Sequence, residues 1–127
     1  MNLLFDTNII IDVLRGKYTL ENEYEDIEKS ISLITYGELF YGAYKSKDPQ
    51  RSIREVNRLF REVSFHQLGI SQEIMNKFGA IKANLELAGN RLDDFDIVIA
   101  ATAMVHDLTL LTRNKKHFKR IKGLDLL

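Results

Sequence analysis

Three acidic residues stand where a short apolar run gives way to a helical pattern: Asp6 in LLFDTNIIIDVL, Glu38 in LITYGELFYGA and Asp96 in DDFDIVIAATA. Each has an ordinary structural reading. Asp6, Thr7 and Asn8 are all helix-capping types, Thr35 and Glu38 have the spacing of a capping box, and Asp93 or Asp94 could cap a helix whose first turn contains Asp96. Taken together they have a second reading. If the strands that precede them run parallel, the ends after Phe5 and Ile34 face one edge of a sheet, and a helix starting near Asp94 can begin there too. Carboxylates at close range repel and raise one another's pKa, so such a cluster needs a cation, a shared proton or a basic partner. An oxygen-only donor set in a chain without cysteine suits Mg²⁺ or Mn²⁺ better than zinc. Mg²⁺ keeps several waters and completes its shell with substrate phosphate, which points to phosphodiester chemistry.

The elements that must position these acids are legible as alternating patterns. Short apolar runs at Leu3 to Phe5, Ile31 to Ile34 and Leu108 to Leu111 read as strands, with weaker candidates at Ser64 to Leu68 and Leu124 to Leu127. Between them, Ile53, Val56, Phe60 and Val63 share one helical face after an Asp48-Pro49 start, and Ile74, Phe78, Ile81 and Leu85 share another before Gly89. Strands alternating with helices imply an α/β fold with a parallel sheet covered on both faces, and such sheets bind ligands beyond the carboxyl ends of their strands.

With 127 residues, 45% of them hydrophobic, a single proline and no Gly/Ser-rich linker, the chain reads as one domain with one core. The longest apolar run, Ile97 to Val105, is far shorter than a membrane span, and the N-terminus lacks the layout of a signal peptide, so a soluble cytoplasmic protein is expected. Formal net charge is zero, but acid and base are segregated. Glu21, Glu23, Glu25, Asp26 and Glu28 lie early, whereas Arg113, Lys115, Lys116, Lys119, Arg120 and Lys122 fill a late stretch without acids. Either run could be a plain solvated face.

The three acidic segments resemble those of the PIN-domain ribonucleases, and most closely the VapC-like toxins of prokaryotic type II toxin-antitoxin pairs. The resemblance covers nearly the whole chain: the opening LLFDTNIIIDVL, the central SLITYGELFYGA and the closing DDFDIVIAATAMVHDLTLLTRNKKHFKRIKGL stand in the family's order and approximate spacing. A DTN after a strand is weak alone; the three segments in order, followed by LLTRN and HFKRIKGL, are specific. What the resemblance implies is a three-layer α/β/α sandwich with a central parallel sheet, one PIN-like nuclease domain over residues 1–127, Mg²⁺ or Mn²⁺ dependence, endonucleolytic cleavage of RNA, a homodimer, and a neutralising VapB-like antitoxin protein as partner. By matching position it also implies that Asp6, Glu38 and Asp96 are the catalytic, metal-holding acids, with Asp94 a further candidate that could equally be a helix cap. Many relatives carry another acid near the segment that here reads TRNKKHF, where this chain has Asn114 and His117; the expectation is one firmly held ion and a second recruited with RNA. Thr7, Thr112 and Asn114 are candidates to orient ligands or water, against the plainer role of turning and capping the chain. Arg113, Lys115 and Lys116 are the expected phosphate contacts, Arg113 foremost.

Other readings are weaker on the same residues. A phosphoacceptor receiver domain would resemble this chain in length and alternation, but its paired acids after the first strand are missing, since Thr7 follows Asp6. Metal-free cleavage by His66, His106 or His117 lacks a paired base or nucleophile. No nucleophile elbow, phosphate-binding glycine loop or dinucleotide fingerprint is present. The main alternative is a PIN-like module that binds RNA or a partner without cutting, favoured by Asn114 and His117. Tyr36, Phe40, Tyr41 and Tyr44 around Glu38 read as core or dimer packing, with base stacking as the other use.

Overall fold

The computed structural model describes residues 2–20 and 24–127. Their chain order is β1 (Leu3–Phe5), α1 (Thr7–Leu14), β2 (Lys29–Ser32), α2 (Leu33–Lys45), α3 (Pro49–Glu62), β3 (His66–Leu68), α4 (Gln72–Leu87), α5 (Asp94–Val105), β4 (Thr109–Leu111) and α6 (Lys115–Phe118). All strand pairs are parallel, in the order β3-β2-β1-β4. The central strand β1 has no exposed residue, as a strand covered on both faces must.

Alternation along β1 divides the core in two. Leu3 and Phe5 join Ile9, Ile10, Ile31, Leu39, Val56 and Leu59, the face covered by α1, α2 and α3. Leu4 points the other way, into Ile74, Ile81, Leu85, Ile97 and the fully buried alanines of α5. This is the expected α/β/α sandwich. The opposing faces also explain why Leu110 belongs to one cluster and Leu111 to the other. No helix among the described residues is long and apolar enough to cross a membrane.

Strand boundaries differ from the sequence reading. The second strand covers residues 29–32 rather than 31–34, because the Ser32 side chain accepts from the Ile34 N–H and starts α2 there. Leu33 and Ile34 are therefore helical, and Thr35 with Glu38 is not a capping box: Thr35 lies inside the first turn, fully buried. The C-terminal run forms no strand beyond a single bridge, Leu126 to Leu110. Of the early acidic run, Glu21 and Glu23 lie outside the described residues, while Glu25, Asp26 and Glu28 are exposed and solvated.

Sheet order places the crevice. The chain moves from β1 outward to β2 and β3, then returns to lay β4 on the other side of β1. Connections leave β1 and β4 on opposite sides, so a cleft opens beyond their carboxyl ends, where ligands of such sheets bind. Asp6 follows β1 and Thr112 follows β4, in register because Phe5 pairs with Leu111.

Candidate active site

Asp6 sits at the head of the crevice, nearly buried, as the N-cap of α1. Its backbone N–H donates to the Leu111 carbonyl, which ties it to the end of β4. One carboxylate oxygen, Oδ1, accepts from the Thr7 N–H at 2.8 Å; the other, Oδ2, accepts from Thr112 Oγ1 at 2.7 Å. The Thr112 hydroxyl in turn accepts the Asn114 N–H at 2.9 Å, so the turn after β4 is pinned to the acid it orients. Glu38 reaches the same place from the middle of α2, where Thr7 Oγ1 donates to its Oε1 at 2.7 Å. The Thr7 hydroxyl also lies 2.9 Å from that of buried Thr35. Asp96 enters from the first turn of α5.

The electrostatics mark these acids as neighbours. Burial raises the pKa of Asp6, against the lowering effects of the Thr112 and Thr7 hydrogen bonds and of the Arg113 charge. Glu38 is raised, chiefly by burial and then by the charges of Asp6 and Asp93, although its Thr7 hydrogen bond works the other way. Asp96 is pushed up to about 6 by burial and by Asp6, Asp93 and Glu38, in that order. The charges of Asp6 and Asp93 thus act on both Glu38 and Asp96, and that of Glu38 on Asp96, each disfavouring ionisation of the acid beside it. Among the described residues no three acidic or histidine side chains already stand at the mutual distances of a closed metal cage. The donor set nonetheless fits a hard cation that keeps part of its water: every donor is an oxygen, and the hydroxyls of Thr7 and Thr112 leave further lone pairs on the carboxylates they orient.

Three sequence-derived roles change. Asp94 lines the same crevice, but its carboxylate is engaged by Lys82 Nζ at 3.0 Å, and its charge is not among those acting on Asp6, Glu38 or Asp96. Asp93 takes that place. As N-cap of α5 it makes no side-chain capping bond, and its charge acts on both Glu38 and Asp96. Sequence reasoning treated it only as a cap; the doublet before Asp96 was the available signal. Arg113 is anchored, its Nε donating to Asp12 Oδ2 at 2.8 Å while more than half of its side chain stays exposed. Asp12, overlooked in the sequence, is buried on α1, and a carboxylate on the covered side of TNIIIDVL was its signal. Lys115 and Lys116 are exposed on α6, whereas Asn114 and His117 line the crevice wall with Asp93 and Asp96. Tyr36 packs on Phe40 and Phe60 at 4.8 and 5.2 Å between ring centres, leaving Tyr41 and Tyr44 outside.

A crevice of carboxylates at the switch point of a four-stranded parallel α/β/α sheet is the arrangement of a PIN-like nuclease fold. The chain matches the PIN domain over residues 3–124 and belongs to that family. It is 35% identical over 124 residues, 98% of this chain and 84% of the other, to "Ribonuclease VapC1" of Methanocaldococcus jannaschii. It is also 29% identical, over 98% of this chain and 95% of the other, to the "tRNA(fMet)-specific endonuclease VapC" of Shigella flexneri. Among solved structures, a chain of VapBC2 from Rickettsia felis, bound to a DNA fragment from its promoter, superposes with a TM-score of 0.89 at 27% identity, covering 100% of this chain and 98% of that one.

Proposed function

We propose that this protein is a divalent-metal-dependent endoribonuclease and the toxin of a toxin-antitoxin pair, acting in the cytoplasm. The observation that carries the reading is the convergence of Asp6, Glu38 and Asp96, from the end of β1 and from α2 and α5, where burial raises the pKa of each and neighbouring acids raise those of Glu38 and Asp96 further. Such a cluster is costly for a bare protein and useful to one that binds a cation. A bound Mg²⁺ or Mn²⁺ would lower the pKa of a water and stabilise charge on the phosphate and leaving oxygen. The chain's own residues have the task of holding and aiming. Asp6 is fixed by Thr7 and Thr112, Glu38 by Thr7, and Asp93 and Asp96 by the start of α5. The Arg113 side chain, anchored on Asp12, sets a positive charge near Asp6 that favours its ionised form.

The antitoxin reading rests on relatives solved as VapBC complexes, of which the R. felis assembly is one. An apolar groove between α1, α2 and α3, lined by Ile11, Leu14, Leu39 and Val56, opens beside Glu38 and offers a partner a route to the site. Exposed Leu33 and Tyr41 supply apolar surface for a homodimer, which light scattering of the purified protein tests. The non-cleaving alternative is not favoured, since Asn114 and His117 leave the three acids of the proposed site in place and relatives are named as ribonucleases.

The test is cleavage of a panel of structured and single-stranded RNAs with Mg²⁺, Mn²⁺ or EDTA, beside a folded Asp6→Asn, Asp96→Asn variant. Cleavage that needs metal and vanishes in the variant supports the reading. Equal cleavage by both proteins, or none by either, rejects it.

A further inference from the structure

The crevice does not end at the carboxylates. Its wall at Arg91, Leu92 and Asp94 is shared with a second depression, which in turn shares Leu85 and Asn90 with a third, of about 310 Å³, beneath Arg120 and Lys122. The three form a trough leading from Asp96 along the seam between the end of α4 and the segment after α6.

Its chemistry changes along its length. At the catalytic end the walls are acidic. Farther on, Lys82 neutralises Asp94, leaving exposed Arg91, Arg120 and Lys122 against the single acid Glu86. The far depression has an apolar floor of Ile81, Leu85 and Ile121 flanked by the amides of Asn84 and Asn90. It is also braced, since Arg120 Nη1 donates to the Arg91 carbonyl at 3.3 Å and ties the segment after α6 to the loop before α5. Cations for phosphates, an apolar floor for a base or ribose, and amides for base edges are the groups that hold an unpaired nucleotide strand; a duplex would keep its base edges paired and out of reach.

We propose that this trough seats the single-stranded RNA flanking the scissile phosphate, with Arg91 and Lys122 contacting its backbone. The proposal rests on the ribonuclease reading for its direction, and it moves the main phosphate contacts away from Arg113, which Asp12 already engages.

The test uses Arg91→Gln, Lys122→Gln, which keeps the Arg120 brace, and a control of equal charge, Lys47→Gln, Arg54→Gln, whose sites lie by and on α3. Binding of a fluorescent single-stranded RNA is measured against salt in EDTA, in an Asp96→Asn background. Removing one cation from a backbone phosphate is expected to reduce the slope of log affinity against log salt by about 0.7, so the slope should fall by about 1.4 in the trough variant and change little in the control. In the otherwise wild-type enzyme, kcat/KM for a long RNA should fall about tenfold while a dinucleotide substrate is cut as before. An unchanged slope and an unchanged long-RNA kcat/KM overturn the trough and leave it to an acidic protein segment. Because binding is scored without cleavage, failure of the nuclease reading shows separately as an inert wild type that still binds RNA through the trough.

Discussion

Replacing Asp96 by asparagine should make the metal-free protein more stable at neutral pH, although it removes a residue of the proposed site. The Asp96 carboxylate forms no hydrogen bond or ion pair among the described residues, so Asp96→Asn deletes a charge and little else. Its pKa rises from 3.8 to about 6, because burial and the charges of Asp6, Asp93 and Glu38 disfavour ionisation. Holding it ionised in the folded state would cost about 3 kcal/mol by the usual conversion, and about half that once its partial exposure to water is allowed for. Against this, an anion in the first turn of α5 gains roughly 0.5 kcal/mol from the helix dipole. The net gain for the variant is about 1 kcal/mol, or about 4 °C in melting temperature for a chain of 127 residues. The sign follows from proton linkage: between 3.8 and about 6 the native state binds more protons than the unfolded chain, so wild-type stability falls as pH rises through that window. The gain should therefore be absent at about pH 3.5, where Asp96 is largely protonated in both states, and complete above about pH 7. Thermal melts in EDTA at both pH values read this directly, and added Mn²⁺ should stabilise wild type more than the variant. A variant less stable than wild type at about pH 7.5 in EDTA, or equally stabilised at about pH 3.5, would mean that the Asp96 charge does not destabilise the fold.

Thr112→Val removes the hydroxyl that donates to Asp6 Oδ2, a charge-assisted bond in a buried setting, and should cost about 2 kcal/mol in chemical denaturation. Because that bond favours the ionised acid, its loss should raise the Asp6 pKa further and move the acid limb of the cleavage profile to higher pH. Thr7→Val should act likewise on Glu38, weakening Mn²⁺ binding by calorimetry while Thr7→Ser, which restores the hydroxyl, retains it. Ser32→Ala should cost about 1 kcal/mol through loss of the α2 cap, with stability lowered and kcat little changed. Asp12→Asn should release Arg113, and adding Arg113→Gln should cost no further activity if the two residues act as one unit.

Alternation of strand and helix, a sheet covered on both faces, and the three segments that carry Asp6, Glu38 and Asp96 were all legible in residue order. These are local facts: period-2 and period-3.6 patterning, and the types of residue that can start a helix, are written within about ten or fifteen positions of the chain. Boundary errors were local too, since apolar Leu33 and Ile34 fit strand or helix equally and only the Ser32 cap chooses between them. Which side chains face one another depended instead on packing between distant elements. Helical spacing favours Asp93, three residues before Asp96, over Asp94, two before it, but only the fold supplies Lys82, on a different helix, to engage Asp94. Likewise Arg113 looks free in a basic run until α1 folds across and presents Asp12 from the opposite end of the chain. Thr112 becomes the partner of Asp6 only because the return of the chain lays β4 beside β1, joining residues separated by 106 positions. Carboxylates and hydroxyls carry no address of their own; the sheet order supplies it.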